Sequence, residues 1–100
     1  VQAWMREHHT TELTLTALAK RAGVTERTLL RRFRTAVGRT PMDFLRQLRI
    51  EAAKMHLEAT KQSIGEITYA VGYADPRSFS RLFKKETGWT PMEYRRRFGD

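Results

Sequence analysis

Two short runs of the chain carry cationic side chains at a spacing that lets them act together. Arg27, Arg31 and Arg34 stand at i, i+4 and i+7, and fifty residues later Arg77, Arg81 and Lys84 repeat the interval with Ser80 beside them. On a helix these intervals gather side chains on one face. A guanidinium fork can bond two acceptors of a guanine edge, any of these cations can neutralise a phosphate, and an α-helix fits the DNA major groove. Arg27, Leu30 and Arg31 in the first run, and Arg77, Ser80 and Arg81 in the second, occupy the outward arc near each helix start, the part that reaches bases. Leu30 is limited there to apolar contact, for instance with a thymine methyl. Thr25, Thr28, Arg34, Ser78, Lys84 and Lys85 are placed for phosphate contacts, which position a protein without reading sequence. On one helix such a face is equally well a solvated surface, but its recurrence at the same place in a second copy favours DNA.

The elements that must hold these runs are legible from their punctuation. The stretch TERTLLRRFRTAVGRTPMDF is echoed by DPRSFSRLFKKETGWTPMEY, pairing Leu29 with Phe79, Phe33 with Phe83, Gly38 with Gly88 and Pro41 with Pro91. Upstream the register is forty-nine residues, pairing Leu15 with Ile64, Leu18 with Ile67 and Gly23 with Gly72. The second copy therefore has one extra residue in its turn. Residues 1–9 show helical spacing through Val1, Trp4, Met5 and His8, and Thr10 to Glu12 break it. Thr14 caps a second helix of Leu15, Leu18, Ala19 and Ala22 that Gly23 ends, and Thr25 caps a third over about 26–37. In that third helix Leu29, Phe33, Ala36 and Val37 form the apolar arc opposite the arginines.

Thr40, Pro41 and Asp43 then start a long helix running to about Ala59, roughly 27 Å at 1.5 Å per residue. Its Phe44, Leu45 and Leu48 are set to pack on the first unit and Ile50, Ala53 and Leu57 on the second. Ser63 and Glu66 form a capping box for a fifth helix closed by Gly72, and Asp75 with Pro76 starts the sixth, burying Phe79, Leu82 and Phe83. Thr90 and Glu93 open a last short helix through Tyr94 and Phe98, ending at Gly99. No segment alternates with period two. The expected fold is all-α: seven helices forming two helix-turn-helix units, 1–39 and 61–100, joined by a central helix over 40–60.

The net charge of +8 and an isoelectric point near 10.6 fit a polyanionic partner. The excess is uneven, ten Lys/Arg against four Asp/Glu up to residue 50 and nine against seven after it. One hundred residues, 40% of them hydrophobic, fill a single small domain rather than a large enzyme. The absence of cysteine removes disulfides and thiolate metal sites, and no apolar run approaches membrane-spanning length, so a cytoplasmic protein with no membrane partner is expected. His8, His9 and His56 lack metal-ligand spacing, and no cofactor is expected. Ser63, Ser78 and Ser80 have no histidine and acid partners of a nucleophile, and the glycines follow helices rather than a strand, so no enzyme is expected. Trp89 is expected to pack on a neighbouring helix. Because Val1 falls inside a helical pattern, the chain is expected to be a piece of a longer protein.

The second unit reads Ile67-x-x-x-Val71-Gly72-Tyr73, then Ser78-Phe79-Ser80-Arg81-Leu82-Phe83-Lys84, then Gly88-x-Thr90-Pro91 and Tyr94-Arg95. This wording resembles the DNA-binding domain of the AraC/XylS family of transcription regulators, a homeodomain-like arrangement, over essentially the whole chain. The wording is also similar to that of regulators with an amidotransferase-like sensor domain. The resemblance implies sequence-specific DNA binding and activation of transcription through contact with RNA polymerase, with any effector bound by a domain outside these residues. Carried over by position, its base-reading sites fall on Arg27, Leu30 and Arg31 and on Pro76, Arg77, Ser80 and Arg81. Leu30 and Pro76 depart from the polar residues often found there, and His56 stands where leucine is usual. The two copies run in the same direction, so one monomer is expected to bind an asymmetric operator site with both helices in adjacent major grooves. A connector of about 27 Å against a groove spacing of about 34 Å implies bent DNA or incomplete docking of one unit. The competing expectation is a basic helical module that binds an acidic protein partner.

Overall fold

Local capping decides where each helix begins. In the computed structural model, which describes residues 1–11 and 13–99, the described residues contain seven helices and no strand. They are α1 (Gln2–His8), α2 (Leu15–Ala22), α3 (Glu26–Val37), α4 (Pro41–Ala59), α5 (Ile64–Ala70), α6 (Pro76–Thr87) and α7 (Pro91–Phe98). The Thr14 and Thr25 hydroxyls accept from the N–H groups of Ala17 and Thr28 at 3.0 and 3.2 Å, and Thr40 does the same for Asp43 at 3.1 Å. Ser63 with Glu66 and Thr90 with Glu93 close reciprocal capping boxes on α5 and α7. Each contact satisfies a donor that the first helical turn leaves without an intrahelical partner.

The chain divides into two compact units, one up to Leu48 and one from Arg49 onward, so that the division falls within α4. The first unit buries Met5, Leu18, Ala19, Leu29, Phe33, Phe44 and Leu45, with Leu48 packed against them. Phe33 and Phe44 meet edge to face at 5.5 Å. The second buries Ile50, Ala53, Leu57, Ile67, Val71, Phe79, Phe83 and Tyr94. Its aromatic rings form a connected set, Tyr73 on Phe79 at 5.4 Å, Phe79 on Phe83 at 5.9 Å and Phe83 on Tyr94 at 5.5 Å. As expected, the first half of α4 supplies the first core and its second half the other. Burying each large side chain stabilises its unit by about 1.5–3 kcal/mol.

Several local readings need correction. α1 runs from Gln2 to His8 rather than over 1–9, and of the expected Thr10–Glu12 break Glu12 lies outside the described residues. His8 is half-buried through a stacked contact on Trp4 at 4.3 Å, and its ring nitrogen lies 2.8 Å from the Trp4 carbonyl oxygen. Ala22 and Ala36 are exposed, because small side chains at these positions leave an open groove of about 380 Å³ beside Ala3 and Val24 instead of filling it. Phe98 is 44% exposed although its ring lies 4.6 Å from that of Tyr94. Trp89 packs as expected, edge to face with Phe98 at 5.3 Å. His56 is half-buried, and its Nδ1 lies 2.8 Å from the Gln62 side-chain oxygen.

The two helix-turn-helix connections also differ in detail. α2 and α3 are separated by residues 23–25, α5 and α6 by residues 71–75. One of the two extra positions is the insertion visible in the repeat. The other arises because α5 stops at Ala70 and Val71 takes the cap position, with left-handed Gly72 (φ +100°) following it instead of closing the helix.

Candidate nucleic-acid interface

α3 presents its two sides unequally. Leu29 and Phe33 are about 95% buried, while Arg27, Leu30, Arg31 and Arg34 are exposed and Thr28 is half-buried. Leu30 sits at 36% exposure, an apolar patch among cations. Thr25 is exposed and its hydroxyl serves the helix start, donating to the Thr28 hydroxyl at 3.0 Å as well as accepting the Thr28 N–H. Glu26, the only acid of α3, accepts a hydrogen bond from Thr16 at 3.0 Å, which ties α2 to the start of α3. The helix therefore offers four arginines against one carboxylate already engaged at its base.

α6 repeats the arrangement. Phe79 and Phe83 are essentially inaccessible, at 1% and 0% exposure, and Arg77, Ser78, Arg81, Lys84 and Lys85 are exposed opposite them, with Pro76 and Ser80 half-buried. Pro76 fills the first helical position, where a backbone N–H would have no partner, so it offers only ring carbons to a ligand. Arg27, Leu30, Arg31, Arg34, Arg77, Ser78, Arg81, Lys84 and Lys85 are thus exposed on α3 or α6, whereas Thr25 precedes α3 as its cap and Thr28, Pro76 and Ser80 are half-buried. The two groups, Arg27, Leu30 and Arg31 and then Pro76, Arg77, Ser80 and Arg81, lie one in each unit.

Sequence reasoning missed what stands behind this second face. Asp75 accepts from the Arg77 N–H at 3.2 Å and from the Ser78 hydroxyl at 2.6 Å, and Arg81 Nη2 donates to Ser78 Oγ at 3.4 Å. The Ser78 hydroxyl is the largest influence holding the Asp75 carboxyl below its ordinary value of 3.8. Desolvation opposes it, and the Arg77 and Ser78 N–H groups and the Arg81 charge add to it. A phosphate seeking the Ser78 hydroxyl must compete with a carboxylate for its only hydrogen. The spacing of 75, 78 and 81 was the available signal.

Arg49 was also missed. It is 8% exposed, and its guanidinium lies 4.9 Å from the Tyr73 ring centre against the α5–α6 turn. A charged residue on a long helix gave no sign that it would be buried. In the same unit the Tyr94 hydroxyl donates to Glu58 at 2.7 Å, and Arg95 donates to the Leu57 and Thr60 carbonyls at 3.2 Å each. These contacts fasten α7 to the end of α4. Burial first, and then the Glu58 carboxylate, push the Tyr94 hydroxyl up to about 12.

Among the described residues no cluster of three or more His, Asp or Glu converges in a metal-binding arrangement, and no helix is long and apolar enough to cross a membrane. What the geometry offers is a pair of basic helix faces, each seated on its own buried core.

The chain is similar to known proteins. A family model described as a helix-turn-helix domain matches residues 18–97. The transcriptional activator RhaS of Escherichia fergusonii is 36% identical over 93 residues, 93% of this chain and 34% of that protein. The regulatory protein SoxS of Escherichia coli strain K12 is 36% identical over 95 residues, 95% of this chain and 89% of that protein. The DNA-binding domain of the global transcriptional factor AdpA, solved in complex with a target DNA, superposes with a TM-score of 0.92 at 31% identity, covering 96% of this chain and 86% of the other. The chain spans about a third of the length of RhaS and most of that of SoxS.

Proposed function

The chain belongs to the AraC/XylS family of helix-turn-helix DNA-binding domains, and from that premise we propose that it reads an asymmetric operator as a monomer, with α3 and α6 in successive major grooves. Arg27, Leu30 and Arg31 contact bases from α3, and Pro76, Arg77, Ser80 and Arg81 from α6. Arg34, Lys84 and Lys85 hold phosphates, with the Thr28 hydroxyl at the start of α3, while the Thr25 hydroxyl spends its hydrogen on Thr28. The whole protein is a cytoplasmic transcription activator that touches RNA polymerase, and any effector binds outside residues 1–100. The observation that carries the DNA reading is the repeated basic face. In both units the same helical positions are exposed and cationic while the opposite positions are aromatic or aliphatic and buried. A merely solvated surface has no reason to recur in that register.

Selection of bound duplexes from a random pool tests the proposal. The expected product is a consensus with two unlike half-sites about one helical turn apart, bound in the presence of excess random DNA. Arg31→Ala and Arg81→Ala should each cost about 1–3 kcal/mol on that duplex and relax preference at one base pair. Lys85→Ala should weaken cognate and random DNA alike and flatten the salt dependence. A pool without consensus, or equal losses on cognate and random DNA for both arginine variants, defeats the assignment; selective capture of an acidic protein instead of DNA favours the rival reading.

A further inference from the structure

The fifty-residue register pairs Thr25 with Asp75, Thr28 with Ser78 and Arg31 with Arg81, yet these two triads are built differently. In α6 a carboxylate stands behind the hydroxyl, and the hydroxyl stands behind the guanidinium, through contacts of 2.6 and 3.4 Å. The second carboxylate oxygen is pinned by the Arg77 N–H, so the acid is held in place as the helix cap. In α3 the Thr25 hydroxyl spends its hydrogen on Thr28, both members are neutral, and no charge lies behind Arg31 in this triad. A long side chain gives up rotamer freedom when it docks, and fixing its direction beforehand reduces that loss. A carboxylate at the helix start also repels phosphate, so it penalises loose backbone contact more than a correctly docked base contact.

We infer that Asp75, acting through Ser78, is a specificity-positioning residue that aims the Arg81 guanidinium at one base pair and discourages sequence-independent contact at the start of α6. The inference rests on α6 being a recognition helix, as proposed above. Ser78 then belongs to this relay and not to the phosphate contacts, and α3, with no such relay, keeps an unaimed Arg31. The second helix is the more discriminating of the two at its central arginine, and the first the more tolerant.

The test takes residues 1–100 and a duplex selected by the unaltered chain, with dissociation constants measured at one salt concentration for that duplex, its single base-pair variants and random DNA. Arg81→Ala first identifies the base pair whose identity ceases to matter. At that pair Asp75→Asn and Ser78→Ala should each reduce discrimination by about 3- to 10-fold, the worth of one net hydrogen bond, leaving the pairs read by α3 unchanged. Asp75→Asn should also tighten random DNA, whereas Ser78→Ala should not. Asparagine is as good an N-cap as aspartate, so an unchanged melting midpoint separates aiming from folding. The relay is overturned if discrimination at the Arg81 pair stays the same or rises in both variants, or falls equally at every pair. If Arg81→Ala exposes no such pair, the base-reading role of Arg81 fails before the relay is reached, and the relay falls with it.

Discussion

The turn of the first unit and the turn of the second follow one plan and are held by different means. Gly23 and Gly72 both adopt positive φ, +70° and +100°, where a Cβ is strained. A Cβ on Gly23 meets nothing within 4 Å, whereas one on Gly72 approaches the Arg49 guanidinium to 3.0 Å. The second turn is therefore closed over a buried arginine that also faces the Tyr73 ring, and Tyr73 in turn packs on Phe79 of α6. The first turn has no such plug, and its cation–π contact, Arg21 on Trp4 at 4.4 Å, ties α2 to α1 instead. The two copies share Phe33 with Phe83 and the glycines of their turns, while the polar supports differ. The second recognition helix is the more tightly braced.

The largest effects test whether the two cores are equivalent despite those supports. Phe33→Ala and Phe83→Ala should each cost about 3–5 kcal/mol. The chain has two tryptophans, Trp4 in the first unit and Trp89 in the second, so their fluorescence reports each unit separately when the other is replaced by phenylalanine. Phe83→Ala should shift the urea midpoint seen by Trp89 more than that seen by Trp4, and Phe33→Ala should do the reverse. Equal shifts at both reporters would mean that the units melt as one.

Smaller effects address the turns themselves. A Cβ in the left-handed region costs about 1–2 kcal/mol, so Gly23→Ala should lose that much. Gly72→Ala should lose more, because the guanidinium has to move. In an Arg49→Ala background the excess should disappear, and a double-mutant cycle measures it directly. An excess that survives without Arg49 would assign the closeness at Gly72 to backbone alone.

Much of the architecture was readable because helix boundaries are local: Thr25, Ser63, Asp75 and Thr90 cap the helices at the positions their types imply. The outward faces of α3 and α6 were equally plain, since 3.6-residue periodicity fixes them once the buried phenylalanines are placed. What escaped depends on tertiary geometry. Ala22 and Ala36 carry the right hydrophobicity for a core, but neighbours reach Leu29 and Phe33 without covering them. Arg49 reads as a surface residue until an aromatic ring and a glycine of the following turn give its guanidinium a place to be buried. The Asp75 relay needs side-chain directions that spacing alone does not supply.

The smallest effect separates the units by their caps. Thr25 is neutral, so Thr25→Ala should cost about 1 kcal/mol by an amount independent of pH. All three helix starts of the second unit include an acid: Ser63 bonds lower Glu66, the Ser78 hydroxyl lowers Asp75, and Thr90 bonds lower Glu93. In the first unit only Asp43 is lowered among the described residues, chiefly by Thr40. A carboxyl whose folded value lies below its unfolded one contributes stability above the unfolded value, near 3.8 for Asp75 and 4.5 for the glutamates, and loses it as pH falls through the folded value. Acid should therefore loosen the second unit first, seen as a fall in the Trp89 midpoint that begins below about pH 5 while the Trp4 midpoint changes less. Asp75→Asn should shrink that gap without abolishing it, since Glu66 and Glu93 remain. At the alkaline end the sign reverses. Tyr94 is raised from 10.0 to about 12, so its contribution is complete below pH 10 and is lost as pH rises toward 12, again in the second unit. Where the phenylalanine variants show the units melting separately, parallel responses of both tryptophans at both extremes would show that the caps are energetically alike.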